Sequence, residues 1–274
     1  MSSKFSVVTT FNADGYQRYG QRMIQTFLAN WPTEVTLVVY AEGCAVQESA
    51  VNLQVHDLHQ SSAALVAFKQ QWKNIPKANG DVSQDPVRRL RKDAGKGFKW
   101  NAVRFAHKVY AIFCAAQQVD SEWLLWMDAD MVCHSPITIE TLQQLCPAGR
   151  ELCYLGRQGK YTECGLYAMN LHQPTVQKFL TRFQHYYDAA EQGIFKLEEW
   201  HDSFVFDAVR KTMPEIKELD WSGAYSKGEG HPLINSSWGA YLDHLKGSRK
   251  LAGRSNGKDL KIKRQENYWV AGSL

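Results

Sequence analysis

The chain has 274 residues, 44% of them hydrophobic, with 32 Lys and Arg against 28 Asp and Glu and a net charge of +4. That length suits one large α/β domain or two small ones, and the apolar share is that of an ordinary globular core. The charge is too mild to indicate nucleic-acid binding, no apolar run approaches the ~18 residues of a membrane span, and none of the six cysteines forms a C-x-x-C pair of the zinc or redox kind.

In chain order, Phe5 to Thr10 reads as a strand, followed by the loop Phe11-Asn12-Ala13-Asp14-Gly15. An amphipathic helix is predicted from Tyr16 to Asn30, with Tyr19, Met23, Ile24 and Phe27 on one face, stopped by Trp31-Pro32. Val35 to Tyr40 is a second buried strand, and Val51 to Leu58 a third. This β-α-β opening predicts a parallel sheet with right-handed crossovers. Neither G-x-G-x-x-G nor the P-loop pattern follows the first strand, which disfavours a dinucleotide-binding domain and a P-loop NTPase.

Residues 61 to 97 read as polar surface. Pro86 to Arg104 holds seven basic residues against the single acid Asp93. A strong helix is expected from Phe98 to Gln117, with Phe98, Ala102, Phe105, Ala106, Val109 and Phe113 at helical spacing and Lys99 in its first turn. A cation there opposes the helix dipole unless an anion is bound. Leu152 to Gly156 and Leu166 to Leu171 are strand-like, and helices are predicted from Gln173-Pro174 to Gln192 and from His201-Asp202-Ser203 onward. Gly247 to Arg264 again holds seven basic residues against one acid, Asp259. With Met1-Ser2-Ser3-Lys4 passing straight into a strand, scattered thiols make the cytoplasm the expected location.

The central stretch is Trp123-Leu124-Leu125-Trp126-Met127-Asp128-Ala129-Asp130. A short, wholly apolar run reads as a strand buried on both faces. The acids stand at its C-terminal end, where open α/β sheets bind ligands. Alternation along an extended chain points Asp128 and Asp130 the same way. Two such carboxylates repel unless a cation joins them, and a hard divalent ion, Mg²⁺ or Mn²⁺, fits, with phosphate oxygens completing its shell.

Taken together, these pieces resemble a nucleotide-sugar glycosyltransferase of the GT-A fold, closest in layout to the retaining glycogenin-like (glycosyltransferase family 8-like) group. Four features in order carry the resemblance. They are Thr9-Thr10-Phe11-Asn12 after the first strand, a helix with Lys99 leading to Asp128-Ala129-Asp130, Glu163-Cys164-Gly165 before a strand ending in Asn170-Leu171, and His244-x-x-Gly247-x-x-Lys250. The sequence departs from the family at Leu245, where an aromatic is usual, at Glu163-Cys164 in place of Asn-Ser, and after Lys250, where no Pro-Trp follows.

The resemblance implies a Rossmann-like, mostly parallel central sheet flanked by helices, forming one catalytic domain over 1–274 with a basic C-terminal segment 247–274. It implies metal-dependent transfer from a nucleotide sugar, UDP-linked, with retention, to a glycan, lipid or protein acceptor, and no nucleic-acid partner. His244 becomes the third metal ligand beside Asp128 and Asp130, its nitrogen favouring Mn²⁺ mildly over Mg²⁺. Thr9, Thr10, Phe11, Asn12, Lys99, Ala129, Gly247 and Lys250 line the donor. Lys250 and Lys99 are expected to stabilise the departing diphosphate, and Glu163 and Asp202 to hold the transferred sugar or the acceptor. The two basic stretches are expected to flank the diphosphate and close over it. Two other readings stay open: a sugar-phosphate nucleotidyltransferase, and a non-catalytic nucleotide-sugar-binding protein of the same fold.

Overall fold

The computed structural model describes residues 4–223 and 231–270. Seven strands form one sheet in the order β3-β2-β1-β4-β7-β6-β8. These are β1 (Phe5–Asn12), β2 (Thr36–Glu42), β3 (Leu53–Asp57), β4 (Trp123–Met127), β6 (Leu152–Tyr154), β7 (Leu166–Asn170) and β8 (Glu218–Asp220). Only β7 runs against the others, paired antiparallel with both β4 and β6. A separate two-stranded sheet joins β5 (Met131–Cys133) to β9 (Leu242–His244).

The alternation of the strands divides the core into two layers. Val8, Val38, Leu124 and Trp126 face the helices Ala63–Trp72, Ala102–Gln118, Pro174–Asp188 and Asp202–Arg210. Val7, Leu37, Trp123, Leu125 and Met127 face the helices Gln21–Asn30 and Ile139–Leu145. The architecture is therefore α/β, a mostly parallel sheet flanked by helices, as expected. Every residue of β4 is buried, which accounts for its unbroken apolar run.

Several local expectations are corrected. β1 continues through Phe11 and Asn12, because both pair with β2, and Asn12 then caps the next turn by accepting from Gly15 N at 2.8 Å. The polar stretch after Ser61 contains the Ala63–Trp72 helix, capped by Ser62, with Leu65, Phe68 and Trp72 buried. The long central helix begins at Ala102, not Phe98, because Asn101 caps it by accepting from Arg104 N at 3.0 Å. Lys99 thus lies in a preceding turn, Gly97–Trp100, outside the helix dipole, and Phe98 is 49% exposed rather than core. The helix from Pro174 ends at Asp188, short of Gln192. Of the basic segment 247–274, residues 271–274 lie outside the described residues.

Candidate active site

The site begins where β4 stops. Asp128 N donates to Gly165 O at 2.8 Å, so the turn before β7 lies against the end of β4. The chain then enters β5, whose partner β9 brings His244 opposite Met131. Leu245 N donates to Asp130 O at 2.9 Å and locks that crossing. The imidazole Nε2 of His244 comes to 3.0 Å from Asp130 Oδ1 and 3.5 Å from Asp128 Oδ2. Asp128, Asp130 and His244 therefore form one cluster able to hold a metal ion.

The donor set fits a divalent cation: two carboxylates and a buried imidazole aimed at one point. Burial pushes the Asp128 carboxyl up, against the opposing pull of Lys108 and His244. Burial would raise Asp130 too, but His244 and Lys250 outweigh it and hold that carboxyl well below the usual range. Asp130 is thus kept charged, while Asp128 has lost water that a cation would replace. On the far side of the ring, His244 Nδ1 has no hydrogen-bond partner and stands 3.9 Å from Glu163 Oε1, within electrostatic but not hydrogen-bond reach.

A lysine that sequence reasoning passed over completes the cluster. Lys108, in the middle of the Ala102–Gln118 helix, reaches 3.0 Å from Asp128 Oδ1 and 2.7 Å from Asp202 Oδ2, and donates to the carbonyl of Cys164. Burial alone would lower its pKa; Asp128 and Asp202 reverse that and keep it protonated. One cation therefore ties the acidic end of β4 to the start of the Asp202–Arg210 helix. The signal was a lysine among Ala106, Val109 and Tyr110 on a buried helical stripe.

Lys250 Nζ lies 2.9 Å from Asp130 Oδ2 and 4.5 Å from the centre of the Tyr19 ring. Glu163 is 3% exposed and takes two cations, Lys246 and, at 3.6 Å, Arg157. Burial would raise its carboxyl, and Lys246, His244 and Arg157 hold it well below the usual range. Glu163 therefore braces His244 and Lys246. Asp202, held by Lys108, is also buried but borders open cavity.

Two adjoining cavities meet at Phe105, Asp202, Ser203 and Lys246. The first, about 610 Å³, is lined by Asp128, Ala129, Asp130 and Lys250, and by Thr10, Phe11 and Asn12 from the end of β1. The second, about 940 Å³, carries Phe98, Tyr161, Arg157 and Lys160. Thr9 and Gly247 line neither; Thr9 is fully buried on β1, in the middle of the sheet. Lys99 lies apart from the aspartates, 2.7 Å from Asp93 Oδ2 and 2.6 Å from Glu199 Oε1, and faces only the second cavity. Of the basic stretch 86–104, Arg104 alone lines the first cavity.

Glu42, His59 and His107 form a second cluster with metal-ligating groups. There Lys69 Nζ stands 2.9 Å from His59 Nε2. The ammonium occupies that imidazole's lone pair, so a cation would first have to displace it.

No protein-family model matches this sequence, and no curated protein matches it. Solved structures similar to the chain include mouse xyloside xylosyltransferase 1, at 11% identity over 79% of this chain and 84% of that one, TM-score 0.44. GlyE of Streptococcus pneumoniae TIGR4 is similar at 11% identity over 80% of this chain and 45% of that one, TM-score 0.44. The galactosyltransferase LgtC, in complex with donor and acceptor sugar analogs, is similar at 12% identity over 79% of this chain and 73% of that one, TM-score 0.45.

Proposed function

We propose that the chain is a single-domain, divalent-metal-dependent GT-A glycosyltransferase that moves a sugar, with retention, from a UDP-linked donor to an acceptor. The observation that carries this reading is the convergence of Asp128, Asp130 and His244 at the end of a buried strand, with Lys250 beside them. The resemblance of the motifs gives the donor class and the stereochemistry.

Asp128, Asp130 and His244 would hold the ion, which when bound supplies Lewis-acid stabilisation of the diphosphate's charge. Lys250 reaches the same space and donates to the phosphate oxygens that gain charge as the anomeric C–O bond breaks. The electron pair of that bond leaves with the diphosphate, the acceptor hydroxyl oxygen forms the new bond to the anomeric carbon, and the hydroxyl proton passes to the departing phosphate oxygen. Thr10 and Asn12 border the first cavity and are assigned to the nucleoside; Thr10 Oγ1 is already fixed by donating to Tyr40 O at 2.6 Å. Asp202, borne on Lys108 and shared by both cavities, faces the transferred sugar and the incoming acceptor. The second cavity is assigned to the acceptor.

The test is release of nucleoside diphosphate from a panel of nucleotide sugars with Mn²⁺, compared with Asp130→Asn. Release by the wild type and its loss in the variant support the reading. Absence of binding to any nucleotide sugar, with or without metal, overturns it.

A further inference from the structure

The loop between Gly80 and Gly97 is pinched at its base. Gly80 has φ +88°, and a Cβ there would stand 2.4 Å from Gly97 O, so the two glycines let the ends of the loop touch. A compact loop with adjoining ends is an Ω-loop. Its inward side is firmly anchored. Arg88 pairs with Asp85 at 3.0 Å, donates to Leu197 O at 2.9 Å and lies over the Trp200 ring at 4.4 Å. Arg91 pairs with Asp93 at 2.9 Å and with Glu198, and lies over the Trp100 ring at 5.7 Å.

The outward side is different in kind. Val87 is 71% exposed and Leu90 78% exposed, although the loop is held in place on its inward side. Between and beside them stand Arg89, Lys92 and Lys96, all exposed, none with an ion-pair partner among the described residues. Of the acids in and beside the loop, Asp85 is taken by Arg88, Asp93 by Arg91 and Lys99, and Glu198 by Arg91, while Asp81, which shares a surface recess with Arg89, accepts only from Ser83 among the described residues. The net charge of this face is therefore positive, and its apolar groups are interleaved with the cations. Phe98, at the loop's end, is 49% exposed and borders the second cavity.

We infer that the outward face of this loop, Val87, Arg89, Leu90, Lys92 and Lys96, docks on an anionic membrane surface. Apolar side chains entering the acyl boundary beside lysines and arginines on lipid phosphates is the composition such surfaces select. A protein partner's surface would ask for shape rather than this alternation. Docking does not depend on the transfer reading; where that reading holds, it sets the second cavity at the membrane, within reach of a lipid-linked acceptor.

The test is co-sedimentation of the full chain with vesicles of phosphatidylcholine alone and of phosphatidylcholine with phosphatidylglycerol in equal parts, at low and high salt. The wild type is expected on the anionic vesicles only, and to be released by salt. Val87→Ser with Leu90→Ser, and separately Arg89→Glu with Lys92→Glu, should each lower partitioning about tenfold or more. Their circular dichroism and vesicle-free release of nucleoside diphosphate should match the wild type, which separates this test from that of the transfer reading. Equal sedimentation with neutral vesicles, none with either, or variants that partition like the wild type would overturn the inference.

Discussion

Replacing Lys108 by Met tests the electrostatic frame of the site most directly. The side chain keeps its length and loses the cation that stands 3.0 Å from Asp128 and 2.7 Å from Asp202. A unit pair at ~3 Å attracts by about 5 kcal/mol at an effective dielectric near 20. Part of that offsets the desolvation of Lys108, which is 9% exposed. Leaving a buried charge without its partner costs about 3–5 kcal/mol, and here two carboxylates lose one. Lys108→Met should therefore lower the unfolding free energy by about 3–5 kcal/mol in metal-free buffer, read from urea denaturation. Asp128 would then seek another cation. Saturating Mn²⁺ should accordingly rescue the variant more than it stabilises the wild type, by on the order of 1–2 kcal/mol, because binding to the native state adds to its stability. A loss below about 1 kcal/mol, or equal stabilisation of both proteins by Mn²⁺, would refute the view that Lys108 and the cation share one negative centre.

Lys250→Ala should lower kcat by roughly a hundredfold while donor affinity changes little, since the departing diphosphate needs the ammonium most in the transition state; a pure rise in KM would contradict this. At Gly165 a Cβ would fall 2.4 Å from His244 Cε1, and both groups are buried; Gly165→Ala should weaken Mn²⁺ binding by calorimetry about tenfold or more, as displaced ligands do, and unchanged affinity would separate His244 from the metal. His134 and His231 are each pushed down by burial to about 4, so both rings are neutral in the native protein at pH 6. The unfolded chain then binds protons that the native chain does not, so their contribution is full above pH ~6.5 and is lost as pH falls toward 4, by up to about 1.4 kcal/mol per unit for each ring. Urea midpoints measured between pH 7 and 5 should fall accordingly, and a flat profile would refute it.

The strands and acids at the centre of the molecule were legible in the sequence because their cause is local. β4 is apolar at every position since both its faces are covered, and the two aspartates mark its end. The apolar spacing from Phe98 places Lys99 in the first turn of a helix, and so in the site. The capping side chain of Asn101 moved that start and handed the role of buried cation to Lys108. The Ala63–Trp72 helix has an apolar first half, Ala63 to Phe68, but it runs straight into Lys69-Gln70-Gln71 and a long polar loop, which hides its buried face of Leu65, Phe68 and Trp72. The strands β5, β8 and β9 have three residues each, too few to show a period, and their pairing is set by tertiary contact; β6, equally short, is legible only through its apolar run. The brace that Glu163 gives His244 is of the same kind, since only the reversal of β7 brings it there.

The antiparallel pairing of β5 with β9 also has a consequence in time. Asp128 and Asp130 leave the ribosome long before His244, and β4 can join its parallel neighbour β1 well before β9 exists. Until β9 docks, the two carboxylates face each other with Lys108 as their only built-in counterweight. The third corner of the cluster is therefore a late and strongly non-local contact, of the sort that slows folding. A growing chain carries two corners of the candidate cluster for much of its synthesis, and the third arrives only when the last part of the fold closes on the first.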